Sequence, residues 1–313
     1  MSSRLRVSPA GVMMRWRAGI SALWREWKVG TYYKYTSVED GLFYYLCRQE
    51  VCFTALCNLN DPFEAGLDLS DMVKEQEQDV SARFRATVLE RTGMEARYDY
   101  EVLKLMKQDS ISAETWDAMM CVDAWRVMQR TCSIVGVLSL STKPTINLLW
   151  SHYAHLTGLA LGFSSQSKAL TDSRLDETVG IQAVNYKPLR RKLRNDGISE
   201  TIRSMCLTKS FDWENEAEVR CFRAVQEGSP RTVVKFDRGD LTSIVMGCQM
   251  SVENALRVRE IALEKYPSAK LKIAYPLTDV FEMRVCPAPV ELDDYRMFFT
   301  DNSAEAMTDQ ARE

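Results

Sequence analysis

The sequence predicts a mixed α+β domain on a core of short, mostly antiparallel strands, and three observations carry that expectation. Short β-branched and aromatic runs recur along the chain between turn-forming residues. A block at about residues 70–132 breaks this rhythm, with one glycine (Gly93), no proline, and apolar residues at helical spacing; it reads as a helical insertion. No repeat appears, and no phosphate-loop or dinucleotide-binding glycine pattern. The 313 residues are 46% apolar with a net charge of −3, enough for a sizeable core and too balanced for a disordered or generally basic chain.

Residues 1–30 are read as a separate basic segment. Arg4, Arg6, Arg15, Arg17, Arg25 and Lys28 face one acid, Glu26. Met13, Trp16, Ile20, Leu23, Trp24 and Trp27 recur at helical spacing, so residues 13–27 form a basic amphipathic helix. Such a face suits a membrane surface or a protein partner; packing on the chain's own domain is the plainer expectation. Residues 31–298 are then one α+β domain, and 299–313 a flexible polar tail.

Thr31–Tyr35 is aromatic and β-branched, hence a strand. Ser37, with Asp40 three residues on, is a helix start, and that helix runs to about Arg48. Val51–Ala55 is a strand ending in the turn Asn58–Pro62, which proline locks. Beyond the insertion, Ser133–Leu140 is a strand, Asn147–His155 a short helix and Gly158–Phe163 a buried strand. Val179–Tyr186 is expected as a strand and Leu189–Leu207 as a polar helix. Glu218–Val225, Val233–Phe236 and Leu241–Met246 are strands, then comes a helix over about 252–266 and strands at Leu271–Ala274 and Phe281–Cys286.

Composition restricts the chemistry. There are only two histidines, His152 and His155, three apart and expected on one helix face, so three-histidine metal centres are excluded. Nine cysteines without a C-x-x-C pair read as buried free thiols in a reducing cytoplasm, and no metal is expected. No apolar stretch is long enough to span a bilayer.

Four clusters remain. Tyr32-Tyr33-Lys34-Tyr35 offers rings and a cation, suited to a flat base and a phosphate, or to ordinary half-buried core. Asn60-Asp61-Pro62-Phe63-Glu64 is a fixed turn that can present a carboxylate to a cleft. Ser139 and Ser141 share a strand face and lead into Trp150-Ser151-His152-Tyr153. In the last cluster, from Lys209 to Arg220, Glu216, Glu218 and Arg220 alternate and would share one strand face. Two acids and a guanidinium are costly to bury unless paired or used, and neighbouring acids can split their pKa values into one poised and one charged. The basic run Lys187–Arg194 can meet phosphates, although a solvated helix face is the plainer reading.

In this order the four clusters resemble a bacterial and phage-borne family known as domain of unknown function 2971, over about residues 30–290. The matching pieces are Tyr33-Lys34-Tyr35, Asn60-Asp61-Pro62-Phe63-Glu64, Leu138–Ser141, Leu149–Ala154, Gly158–Phe163, and Lys209 with Trp213-x-x-Glu216-x-Glu218-x-Arg220. The name implies no activity. The sequence of aromatic strand, Ser-x-Ser strand and Glu-x-Glu is also similar to ADP-ribosyltransferases. That second resemblance implies a cytoplasmic enzyme with NAD as substrate, in a bacterial defence or toxin setting. Glu218 would stabilise the ribosyl cation, and Glu216 would position or deprotonate the acceptor macromolecule. Ser139 and Ser141 would line the site, Tyr33 or Tyr35 would stack on nicotinamide, and Lys34, Tyr153 and Arg220 would help hold the nucleotide. Members of that superfamily usually carry arginine or histidine on the first strand, where this chain has Lys34 among tyrosines. Two other readings stay open: a non-catalytic sensor binding a nucleotide or protein, and a hydrolase or nuclease dependent on His152 with Asp61 or Glu64.

Overall fold

The structure, a computed structural model, describes residues 30–299 other than 62, 65–66, 69–114, 116–117, 119–121, 123–124, 127–128, 131, 176–177 and 193–197. The basic helix expected at 13–27, most of the helical insertion and residues 300–313 of the tail lie outside the described residues. The chain is mixed α+β, with a mostly antiparallel sheet and a few helices.

Among the described residues ten strands form the main sheet. They are β1 (Thr31–Thr36), β2 (Glu50–Ala55), β3 (Val135–Ser141), β4 (Leu159–Ser164), β5 (Gln182–Ala183), β6 (Glu218–Ala224), β7 (Arg231–Lys235), β8 (Leu241–Gly247), β9 (Lys270–Pro276) and β10 (Met283–Pro287). The path β7-β2-β3-β1-β4-β8-β9-β10 carries one parallel pair, β8 with β9. β6 lies along β3 over the full length of both strands, and β5 pairs with β6.

One irregularity in this sheet makes the site. Along one edge β3 meets β2 at Gly136 and Val137, and meets β1 only at Ser141. Neither strand pairs with Leu138–Leu140 on that edge, so the sheet splits there. The carbonyl of Ser139 finds a different donor, the Lys34 ammonium at 3.3 Å. A cleft opens in the split.

β4 runs through the centre and is buried on both faces, as its apolar LALGF run requires. Leu159, Leu161 and Phe163 pack into the larger core with Leu46, Phe53, Ile244 and Met246. Ala160 turns to the other face, against Tyr35, Trp150 and Val245. The helix Val252–Lys265 covers the larger core through Val252, Ala255, Val258 and Ala262, with the Ser251 hydroxyl capping Asn254 N–H at 3.3 Å. Backbones approach closely at Gly158, where an added Cβ would meet the carbonyls of Thr36 and Ala154.

The expected helices after Ser37 and at 147–155 both form, and both widen. Ser37 caps Asp40 N–H as expected, and after Val38–Asp40 the chain continues as a π-helix over Gly41–Cys47. Asn147–Leu149 likewise passes into a π-helix over Trp150–Ala154. Trp150 is completely buried there; its indole N–H donates to the Pro144 carbonyl at 2.9 Å, and its ring meets the edge of Tyr35. His155 and Leu156 then adopt left-handed conformations that turn the chain into β4.

Several expectations need correction. The strand expected at 179–186 is three short pieces, at 178–179, 182–183 and 185–187. The long polar helix is confined to Ile198–Leu207, because Arg191–Lys192 pairs as a strand with Leu67–Asp68. Leu292–Phe298 is a helix seated through the buried Tyr295, where no element was expected. The cysteines are free thiols among the described residues, but only Cys132, Cys206 and Cys221 are fully buried, and Cys47 is exposed. Among the described residues no helix is long and apolar enough to cross a membrane.

Candidate functional site

The cleft in the split sheet encloses about 270 Å³. Tyr33, Lys34 and Tyr35 of β1 form one wall. The segment after β2 forms another, through Asn58, Asn60, Asp61 and Glu64. Ser139 and Ser141 of β3 lie along the floor, and Tyr153, Lys209, Trp213, Glu216 and Glu218 close the far side. Residues from four sequence-distant clusters therefore converge on one opening. Of the twelve residues singled out as candidates, ten line it, and His152 and Arg220 do not.

The polar centre of the site is a buried ion network. Arg220 on β6 is fully buried, and each of its five N–H donors has an acceptor. Nε and Nη2 reach the Glu218 carboxylate at 2.7 and 3.0 Å. Nη1 and Nη2 form a fork on the Glu64 carboxylate, and Nη1 also donates to the Cys206 carbonyl at 2.7 Å. Arg220 is thus a positioning residue behind the wall, contrary to the expectation that it contacts a nucleotide. The Lys209 ammonium sits in front, 2.7 Å from Glu216, 3.2 Å from Glu218 and 3.7 Å from Glu64. The same ammonium lies 4.7 Å from the Trp213 ring centroid.

Glu218 and Arg220 share a strand face as expected, but Glu216 does not belong to that strand. It ends the 3-10 turn Phe211–Glu216, and Ala217 in the left-handed region separates it from β6. The turn swings the Glu216 carboxylate back onto Lys209, while its backbone carbonyl accepts from the Ser141 hydroxyl at 2.8 Å. Ser141 therefore holds the turn in place, and Ser139 lies opposite Arg220 in the β3–β6 register.

The two glutamates differ in electrostatics. Burial pushes both toward neutrality, but at Glu218 the charges of Arg220 and Lys209 outweigh it and hold the carboxyl at about 2. At Glu216 burial prevails over Lys209 and the carboxyl is raised. Its Oε1 is buried and has no hydrogen-bond partner among the described residues. Burial pulls the Lys34 ammonium below its ordinary value, with Glu218 opposing, and raises the phenols of Tyr35 and Tyr153. The Lys209 ammonium is also penalised by burial, yet Glu218, Glu216 and Glu64 together raise it.

The histidines fall outside. His152 and His155 are both exposed, and His155 occupies the left-handed position that ends the π-helix. His152 meets Trp213 and Tyr153 only through ring edges, with centroids 6.3 and 6.5 Å away. The wider π-turn makes Tyr153, rather than His152, the residue of this segment that lines the cleft. Lys209 and Glu64 also belong to the network: Glu64 was expected only as a partner of His152 in a hydrolytic site, and Lys209 was given no role. The excess of acid near Glu216 and Glu218 signals a buried cation such as Lys209, whereas nothing local to β6 points to Glu64.

No group of three or more His, Cys, Asp or Glu side chains is placed to hold a metal among the described residues. Comparison with protein-family models, curated proteins and solved structures finds no match to this chain.

Proposed function

We propose that the cleft binds a nucleotide and cleaves its glycosidic bond, most specifically that of NAD, in the manner of an ADP-ribosyltransferase. The observation that carries this reading is the divergence of two neighbouring carboxyls, one ionised (Glu218) and one raised (Glu216), in a cleft walled by aromatic rings. Tyr33, Tyr153 and Trp213 offer surfaces for flat rings, and Lys34 a cation for phosphate. In this scheme the bond between ribose C1′ and the nicotinamide nitrogen breaks and its electron pair leaves with nicotinamide. The ribosyl cation faces the Glu218 carboxylate, the acceptor nucleophile forms the new bond to C1′, and Glu216 Oε1 takes the acceptor's proton.

The test is incubation with labelled NAD and cell extract, following both label transfer and nicotinamide release. Both should fall at least a hundredfold in Glu216→Gln or Glu218→Gln protein that retains its fold, on the order expected for losing a proton acceptor or an electrostatic stabiliser. Absence of transfer and of nicotinamide release in the native protein would overturn the enzymatic reading.

One observation favours a second reading. Both Glu218 oxygens are already held by Arg220 and Lys209, which leaves less field for a developing cation. A nucleotide-binding sensor with this cleft would be stabilised by ligand without turning it over.

A further inference from the structure

The turn Asn60–Glu64 contributes a group that neither the network nor the proposed chemistry uses. Asp61 lines the cleft and is 6% exposed. Its Oδ1 accepts from Phe63 N–H at 2.9 Å, which fixes the turn. Its Oδ2 is buried and has no hydrogen-bond partner among the described residues. A buried carboxylate oxygen without a donor is costly, so the sequence holds there an acceptor that the described residues do not satisfy. The only other carboxylate oxygen in this condition among the described residues is Glu216 Oε1, and Glu216 lines the same cleft. Two rigid acceptors on separate elements thus await donors within one opening.

The surroundings decide which donors fit. An ammonium or guanidinium on the ligand would approach the Lys34 ammonium, which lines the cleft and bonds the Ser139 carbonyl. Neutral hydroxyls meet no such repulsion, while Lys34 favours an anion on the same molecule. Tyr33, Tyr153 and Trp213 add surfaces for a flat ring. We infer that Asp61 is a ligand-binding residue, its Oδ2 accepting from a ribose hydroxyl of a ribonucleotide seated in the cleft. The inference deepens the nucleotide reading above and rests on it: it assigns to Asp61 the discrimination between ribose and its deoxy counterpart.

Nicotinamide mononucleotide and its 2′,3′-dideoxy analogue, each with a single sugar, are the probes, titrated calorimetrically into the full chain and into Asp61→Asn. Asparagine keeps the oxygen that accepts from Phe63 N–H and replaces Oδ2 by an amide donor. The native protein should prefer the hydroxylated probe. Asp61→Asn should weaken that probe at least tenfold, leave the dideoxy probe within about twofold, and melt no lower than the native chain. Asp61→Ala, which also loses the turn cap, should show the same selectivity with a lower melting temperature. Equal affinity of native and Asp61→Asn protein for the hydroxylated probe would overturn the role of Asp61 while sparing the nucleotide reading, as would parallel loss of both probes. Failure of the native protein to bind either probe would overturn both.

Discussion

Replacing Glu218 by glutamine tests the ion network and the site together. Held at about 2 in the folded chain against an ordinary value of 4.5, the Glu218 carboxyl contributes about 3 kcal/mol to stability at neutral pH. An independent figure agrees: removing one partner of a buried pair costs about 3–5 kcal/mol, since Arg220 and Lys209 would be left facing a neutral amide. The sign with pH follows from the depressed value. The contribution is complete above pH ~4.5 and is lost as pH falls toward 2, so the gap between native and Glu218→Gln protein narrows to about 2 kcal/mol at pH 3.5. Chemical denaturation at pH 7 and pH 3.5, followed by tryptophan fluorescence, measures both gaps. Equal stability at pH 7, or a gap that does not shrink in acid, would refute the pairing. Loss of activity in this variant therefore has to be separated from loss of fold, and Glu216→Gln serves that purpose because burial already disfavours the charged form of Glu216, so a neutral amide there costs the fold less. Stability associated with Glu216 should rise, not fall, as pH drops through its folded pKa.

Two further outcomes follow from exposure. His152→Ala should change stability by no more than about 0.5 kcal/mol and nicotinamide mononucleotide affinity by no more than about twofold, because His152 is exposed and does not line the cleft; loss of binding would restore it to the site. With a thiol reagent at pH 8, Cys47 should react first among the described cysteines and Cys221 only on unfolding, since burial pushes the Cys221 thiol up to about 12; peptide mapping that finds Cys221 labelled in the native chain would contradict its burial.

The sequence made much of the strand framework legible because most strands carry a period-two or fully apolar pattern. β1, β2, β4, β6, β8 and β9 lie within a residue or two of their expected positions. What it concealed depended on tertiary contacts. The 3-10 turn at 211–216 looks like strand because Glu216, Glu218 and Arg220 alternate, and only Ala217's left-handed backbone breaks the period. The π-turn of Trp150–Ala154 has no pattern of its own; a helical wheel of ordinary pitch placed the two histidines on a common face, so that His152 was expected in the site beside Tyr153. The helix Leu292–Phe298 was missed because it is anchored by Tyr295, with Leu292 and Met297 left exposed. For the site, residue types were readable and partners were not: nothing local to Arg220 says that its guanidinium spends two bonds on Glu64.

That last pair spans 156 positions in the chain, and the Lys34 bond that fills the split spans 105. Closing a loop as long as the first costs about 4–5 kcal/mol of chain entropy before any contact forms, a cost that falls to near nothing once the sheet has brought β2, β3 and β6 together. The cleft is therefore a product of the finished sheet and cannot be assembled ahead of it. A fragment beginning at β3 would carry Lys209, Glu216, Glu218 and Arg220 but neither Lys34, Asp61 nor Glu64, and would have acids and bases without an opening to face. Binding competence then reports on closure of the whole fold, and cleavage between β2 and β3 would leave it standing only for as long as the two pieces stay associated.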